Sequence, residues 1–329
     1  MEAGALRHPV LRARRSHKDR IGDPLLRGLS GLAAAVAVAA IVGIAYEVVH
    51  QASPAISKYG IGFLTTNDWN PVSERFGAAP FLYGTAVTSG IALLLAAPLS
   101  IAISIYLTEL APRRIMRPVA TLVDMLAAIP TVILGLWGIL VLGPFMRDTV
   151  EPALQSVLGF LPIFSGDPSA FGYLTAALIL TIMITPIITS VTREVFETVP
   201  ADLKEASYAL GATRWEMVRQ VVLPYSRAGI VGASILGLGR AIGEAIAVAQ
   251  VIGGAYEIHA SLFHTGGTLA AQIAAQWEGA TGQMQKASLA YLAAILLVFA
   301  IAVNVIARLI VQRGRLKDTD VTPTEAGAL

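Results

Sequence analysis

The chain has 329 residues, 55% of them hydrophobic and only 14% charged, with a net charge of +2 and a mean hydropathy of +0.66. Soluble domains carry about 25% charged residues, so the composition excludes a disordered chain and argues strongly against an ordinary cytosolic enzyme. Cysteine is absent, which removes disulfides, thiolate nucleophiles and Cys-ligated zinc or iron–sulfur sites.

A transmembrane helix needs about 20 mostly apolar residues, and the chain offers six such stretches between polar segments. Residues 1–27 form a basic arm carrying Arg7, Arg12, Arg14, Arg15, Lys18, Arg20 and Arg27. Span 1 covers 28–47 and is free of charge from Leu29 to Tyr46. It reads as a span and not as a cleaved signal peptide. A long basic arm precedes it, its run exceeds a usual signal core, and no small-residue cleavage site follows. The loop 47–80 contains Asp68-Trp69-Asn70-Pro71, a turn-forming run with an aromatic suited to a membrane interface. Span 2, 81–108, has no charge and is interrupted by Pro98. Arg113, Arg114 and Arg117 follow. Span 3, 118–145, holds one charge, Asp124, about 10 Å along from Arg117 at the α-helical rise. That depth predicts a carboxylate at the basic end of the span and not in a pathway. Residues 146–170 contain Pro152, Pro162 and Pro168, which are expected to prevent a long helix. Span 4, 171–192, is again free of charge. Pro98, Pro130 and Pro186 are expected to kink their helices.

The segment 193–227 is the longest loop on the basic side, and its sequence specifies structure. Asp202 and Glu205 form an Asp-led capping box, predicting a helix that runs to Leu210 and stops at Gly211. Thr213 and Glu216 form a second box, and the second helix is expected to end at Leu223-Pro224. A membrane-surface amphipathic segment is one reading, and two short capped helices hinged at a glycine favour a shaped docking element instead.

Span 5, 228–252, carries Arg240 and Glu244. Arg240 lies about 20 Å along from Arg227, near the middle of a core about 30 Å thick. A charge at that depth is costly and marks a functional position. The i, i+4 spacing puts both side chains on one helix face, where they can pair. Gly239 and Gly243 repeat that spacing and suit close helix approach. Two readings stand: a salt bridge that only joins helices, or an arginine that meets a passing oxyanion while Glu244 keeps it from being trapped. The loop 253–286 holds His259 and His264, which lack a nearby third metal ligand. Span 6 covers 287–310, and 313–329 forms a polar tail.

Nineteen of the 24 Lys and Arg residues fall on the side of the termini, four on the other side, and Arg240 lies within a span. The positive-inside rule then places both termini in the cytoplasm. Anionic lipid explains the basic arm, so no nucleic-acid partner is expected.

Glu205-Ala206-Ser207, three residues, Gly211, nine residues, then Val221-Val222-Leu223-Pro224 resembles the EAA motif of ABC-importer permeases, with Ser207 and Val221 as small departures. Trp69-Asn70-Pro71, Phe76-Gly77-Ala78-Ala79-Pro80 and Gly84-Thr85 resemble the phosphate-specific permeases, as does Ala128-Ile129-Pro130-Thr131-Val132 before Gly135-Leu136-Trp137-Gly138. The run from Gly237 to Glu244 is most similar to PstC-type subunits. The resemblance spans about residues 60 to 312.

The resemblance implies an all-α integral membrane protein of six transmembrane helices with the type I importer (MetI-like) permease fold. It makes residues 28–312 the permease domain of a phosphate importer in the bacterial cytoplasmic membrane. Glu205, Ala206, Ser207, Gly211, Leu223 and Pro224 would dock the ATPase, and Arg240 and Glu244 would line the substrate pathway. The implied partners are a PstA-type second permease, an ATPase homodimer, an extracytoplasmic phosphate-binding protein and membrane lipid. No Gly-x-x-x-x-Gly-Lys-Ser/Thr loop occurs. The chain is therefore expected to hold no cofactor and to be no enzyme, with ATP and Mg binding the partner ATPase. An ion-driven secondary transporter is the alternative, opposed by the single charge pair and the absence of evident inverted repeats. An intramembrane enzyme finds no catalytic motif.

Overall fold

A computed structural model describes residues 17–318. Only 17–27 of the basic arm and 313–318 of the tail fall within that range. Contacts divide the chain into two units, Met1–Val48 and Val49–Leu329. The first holds the N-terminal part of helix α1 (His17–Tyr59), which from Leu29 to Tyr46 is apolar on every face, as a lipid-embedded helix is.

In the second unit a 3₁₀ turn at Gly60–Leu64 leads to a hairpin, β1 (Trp69–Asn70) and β2 (Arg75–Phe76), with Trp69 opposite Phe76. Asn70 Oδ1 accepts from the N–H groups of Val72 and Ser73 and closes the turn. Helix α2 (Ala79–Ile105) passes through Pro98 and widens into a π turn, Tyr106–Leu110. Helix α3 (Arg113–Ala127) ends before Pro130, and α4 (Thr131–Trp137) starts after it. From there α5 (Gly143–Phe145) and α6 (Glu151–Leu158) continue without a gap, joined by π turns at Gly138–Leu142 and Met146–Val150. The third long apolar helix is thus Thr131–Leu158 and not 118–145. Pro130 accounts for the shift, because a proline disfavours α geometry at the residue before it. Pro152 does not end the helix, which passes it directly after the π turn Met146–Val150.

Helix α7 (Tyr173–Glu197) is followed by α8 (Ala201–Ala209) and α9 (Arg214–Met217). A π turn, Val218–Val222, carries α9 directly into α10 (Leu223–Gly243). The helix therefore does not end at Leu223-Pro224, as the capping pattern suggested. Pro224 follows the π turn directly, and the widened turn accommodates it without ending the helix. Then come α11 (Ile246–Val251), α12 (Leu269–Gln276) and α13 (Gln283–Asp318). Six helices among the described residues are long and apolar enough to cross a membrane.

Helix α7 is the centre of the second unit. Its most apolar stretch is 67% buried, against 22–28% for the long helices built on α2, α4–α6, α9–α10 and α13. Ile179, Leu180, Ile184 and Ile188 of α7 pack with Ala92 and Ala96 of α2 and with Val248 and Val251 of α11. Helix α10 meets α7 through Gly229, Ala233 and Gly237, which share one face at i, i+4 and i+8. A Cβ on Gly237 would fall 2.6 Å from Ile188, and one on Gly229 would fall 2.4 Å from Val195. The close approach thus uses these glycines. Around Gly239 and Gly243 a Cβ would meet nothing within 4 Å among the described residues.

At one end, Phe63, Trp69, Phe76, Phe81, Leu289 and Leu292 form a second core. Trp69 is 5% exposed, so it is a core residue and not a belt anchor. Its Nε1 donates to Gln276 Oε1 at 2.8 Å, and Gln276 Nε2 donates to Tyr256 OH at 2.8 Å. At the other end, Phe196, Val199, Met217, Val218 and Val222 pack with Ile101 and Ile105 beneath α8 and α9.

Candidate functional site

The segment 198–213 carries the EAA-like residues. Pro200 is the N-cap of α8, with no side-chain capping bond, and Asp202 stands in the first turn. The expected Asp202–Glu205 box is therefore not formed. The chain turns at Pro200 itself, which leaves Asp202 two residues past the capping position. An acidic residue there still favours the positive end of the helix dipole.

The C-terminus of α8 follows the sequence closely. Gly211 has φ +84°. Its N–H donates to the Tyr208 carbonyl at 2.9 Å, and the Ala212 N–H donates to the Ser207 carbonyl at 3.2 Å. That pair of bonds is the Schellman closure, which needs a left-handed residue at the glycine position. Thr213 then caps α9. Its Oγ1 accepts from the Glu216 N–H at 3.3 Å, and Glu216 Oε2 accepts from the Thr213 N–H at 2.8 Å. The two motifs turn the chain sharply and hold α8 and α9 in a fixed relation.

No side chain of α8 is buried. Glu205 and Ala206 are exposed and Ser207 is half-buried. Leu210 is 91% exposed and Trp215 63% exposed. Ser207, Leu210, Gly211, Ala212, Glu216 and Gln220 line a hollow of about 260 Å³. Leu223 and Pro224 are half-buried at the start of α10, outside this surface. The arrangement is a small, shaped, partly apolar protrusion.

Lys204, beside the motif, reaches the body of the protein. Its Nζ lies 2.6 Å from Glu109 Oε1 in the π turn after α2, and the Glu109 side chain is 8% exposed. Sequence reasoning missed this pair. The available signal was that Glu109 is the only acidic residue between Ala79 and Pro112. Nearby, Arg193 Nη2 stands 3.5 Å from Asp124 Oδ2, so Asp124 joins α3 to the end of α7. Arg117, Asp124, Arg193 and Glu197 line a hollow of about 360 Å³ there.

Arg240 and Glu244 lie at the end of α10, but they do not share a helix face. The helix stops at Gly243, and Glu244 is extended, with φ −73° and ψ 120°. Glu244 Oε1 accepts from the Ala247 N–H at 3.2 Å, at the start of α11. Glu244 is buried and Arg240 exposed, and no ion pair joins them. The i, i+4 argument required an unbroken helix, and the break at Gly243 removes it. What the structure brings together is a buried carboxylate at a helix break and an arginine one turn earlier that faces away from the body of the chain.

On the opposite end, the rings of His259 and His264 stack at 4.0 Å, and His259 Nε2 is 3.1 Å from Glu257 Oε2. Among the described residues no three His, Cys, Asp or Glu side chains converge to hold a metal.

Residues 100–316 match the family described as binding-protein-dependent transport system inner membrane component. The chain is 43% identical to the phosphate transport system permease protein PstC of Mesorhizobium japonicum, over 93% of this chain and 95% of that one. It is 46% identical to the same-named protein of Pasteurella multocida, over 80% and 83% of the two chains. Among solved structures it is similar to a bacterial alginate ABC transporter, with TM-score 0.58 and 17% identity over 87% and 96% of the chains. It is also similar to the inward-facing MetNI methionine ABC transporter, with TM-score 0.51 and 22% identity over 71% and 94%. These two likenesses concern the fold. With six membrane-length helices, an importer-permease fold and relatives matched nearly end to end, the chain belongs to the binding-protein-dependent transport inner membrane components, a multi-pass permease family, in its PstC-type branch.

Proposed function

We propose that this chain carries inorganic phosphate across the bacterial cytoplasmic membrane as one permease subunit of an ATP-driven importer. The observation that carries the reading is the protrusion at 198–213. Its closure at Gly211 and box at Thr213 hold Glu205, Ala206 and Ser207 outward with no side chain of α8 buried. A segment so explicitly shaped and so little packed suits docking to a separate subunit. Residues 1–27, the loop 193–227 and the tail 313–329 are then cytoplasmic, and 28–312 form the permease domain. The Lys and Arg distribution supports this orientation.

ATP and Mg bind a partner ATPase homodimer, and this chain needs no cofactor of its own. A PstA-type second permease completes the pathway and faces Arg240, and an extracytoplasmic phosphate-binding protein delivers the anion. Within the pathway Arg240 meets phosphate, because a guanidinium stays protonated and presents paired donors to a tetrahedral oxyanion. Glu244 does not need to pair with it. Instead its carboxylate fixes the break between α10 and α11, which aims Arg240. Guanidinium chemistry suits sulfate equally, so the choice of phosphate rests on the PstC relatives. The test is labelled uptake by cells whose only copy of the importer contains this chain. Uptake of phosphate that a tenfold excess of sulfate leaves unchanged is expected. Uptake of sulfate at a similar rate would overturn the assignment.

A further inference from the structure

Helix α8 is held to α9 by the closure at Gly211 and the box at Thr213, and its side chains add few further ties to the body of the protein. It contributes no side chain to the apolar cluster beneath it and buries none of its own. At its N-terminal end the chain enters through Val199 and Pro200. At its C-terminal end it leaves through Gly211, around which a Cβ would meet nothing within 4 Å. Between these ends stands Lys204, whose ammonium meets Glu109 at 2.6 Å. The carboxylate is nearly buried and the lysine is 22% exposed. Such a pair holds its geometry far better than an exposed one, because removing one partner leaves a desolvated charge behind.

Glu109 is well placed to pass on a displacement. Its π turn closes through the Ala111 N–H donating to the Tyr106 carbonyl at 2.7 Å, and Leu107 in the same turn is fully buried. The preceding helix, α2, is stitched to the central helix α7. Ser100 Oγ donates to the Thr185 carbonyl at 3.0 Å, and Ser104 Oγ donates to the Thr189 carbonyl at 3.0 Å. Those carbonyls flank Pro186, where α7 has lost a backbone donor and bends most easily. At its far end α2 holds the opposite loop, since Thr85 Oγ1 accepts from the Leu269 N–H at 3.0 Å. A push on α8 therefore has a polar route through Lys204 and Glu109 into α2, and from α2 into α7 beside Pro186.

We propose that Lys204 and Glu109 are positioning residues that form the joint through which movement of the ATPase-docking helix α8 drives α2 and α7; this rests on the importer reading above. Breaking the joint lets the ATPase turn over while the permease fails to follow.

The experiment uses the whole transporter in vesicles and reads ATP hydrolysed per phosphate imported. Glu109→Gln and Lys204→Met are expected to raise that ratio about tenfold, which corresponds to losing about 1.4 kcal/mol of coupling. The exchange Glu109→Lys with Lys204→Glu restores it to near the wild-type value. In case the single variants assemble poorly, the cysteine-free chain permits a second form. Glu109→Cys with Lys204→Cys, joined by a short cleavable thiol bridge, is expected to couple when bridged and to uncouple when the bridge is cut. A wild-type ratio in both single variants, or a bridged form as uncoupled as the cleaved one, overturns the joint. Loss of ATP-driven uptake in the unmodified transporter would instead overturn the importer reading, so the two failures are distinct.

Discussion

Replacing Gly211 by valine tests the shape of the docking element. Gly211 has φ +84°, and the Schellman bonds from Gly211 to Tyr208 and from Ala212 to Ser207 need that conformation. A Cβ there meets no neighbour within 4 Å, so the cost is confined to the backbone. For a residue other than glycine the left-handed conformation costs about 1–2 kcal/mol, and a β-branched side chain sits at the upper end. A cost of about 2 kcal/mol reduces the properly closed form about 30-fold relative to opened ones. Gly211→Val is therefore expected to insert and assemble, yet to lose most binding-protein-stimulated ATPase activity and uptake. Gly211→Asn should retain most of both, since asparagine tolerates the left-handed region. The assay compares uptake and stimulated hydrolysis in vesicles with matched amounts of assembled complex. Full activity of Gly211→Val, or a Gly211→Asn variant as defective as the valine form, would refute the reasoning.

Three further outcomes are expected. Arg240→Ala should assemble but transport poorly, and Arg240→Ala with Glu244→Ala should stay inactive; near-normal uptake by the double variant would remove Arg240 from the pathway. Single cysteines at Ser73 and Gln283 should react with an impermeant maleimide on intact cells, and one at Ser207 only after permeabilisation; labelling of Ser207 from outside would invert the topology. Gln276→Leu strips Trp69 Nε1 and Tyr256 OH of their shared partner, at about 1–3 kcal/mol for a buried unpaired group. It should lower the thermal midpoint of the assembled complex, and an unchanged midpoint would show that these bonds contribute nothing to stability.

The number of long apolar helices was legible because lipid imposes a length and a composition on each span, and six charge-poor stretches meet both. The docking element was legible at Gly211, Thr213 and Glu216, where local side-chain and backbone chemistry decides the geometry within a few residues. Failures came where a regular helix was assumed to continue. Residues 118–145 look like one span because hydropathy averages across Ala128–Pro130, yet Pro130 divides them. Arg240 and Glu244 look paired only if α10 passes Gly243, and Glu244 instead caps the next turn. The π turns carry no sequence mark, so the continuity from α9 into α10 was hidden. Glu109 and Lys204 are 95 residues apart, and no local pattern brings them together.

The most direct test of the account is what energises uptake. Vesicles containing this chain with its second permease and ATPase, supplied outside with loaded phosphate-binding protein, should import labelled phosphate only when ATP and Mg are enclosed. Collapse of the proton and sodium gradients should leave that uptake unchanged. Import without internal ATP that follows an imposed ion gradient would contradict the account and identify the chain as a secondary transporter.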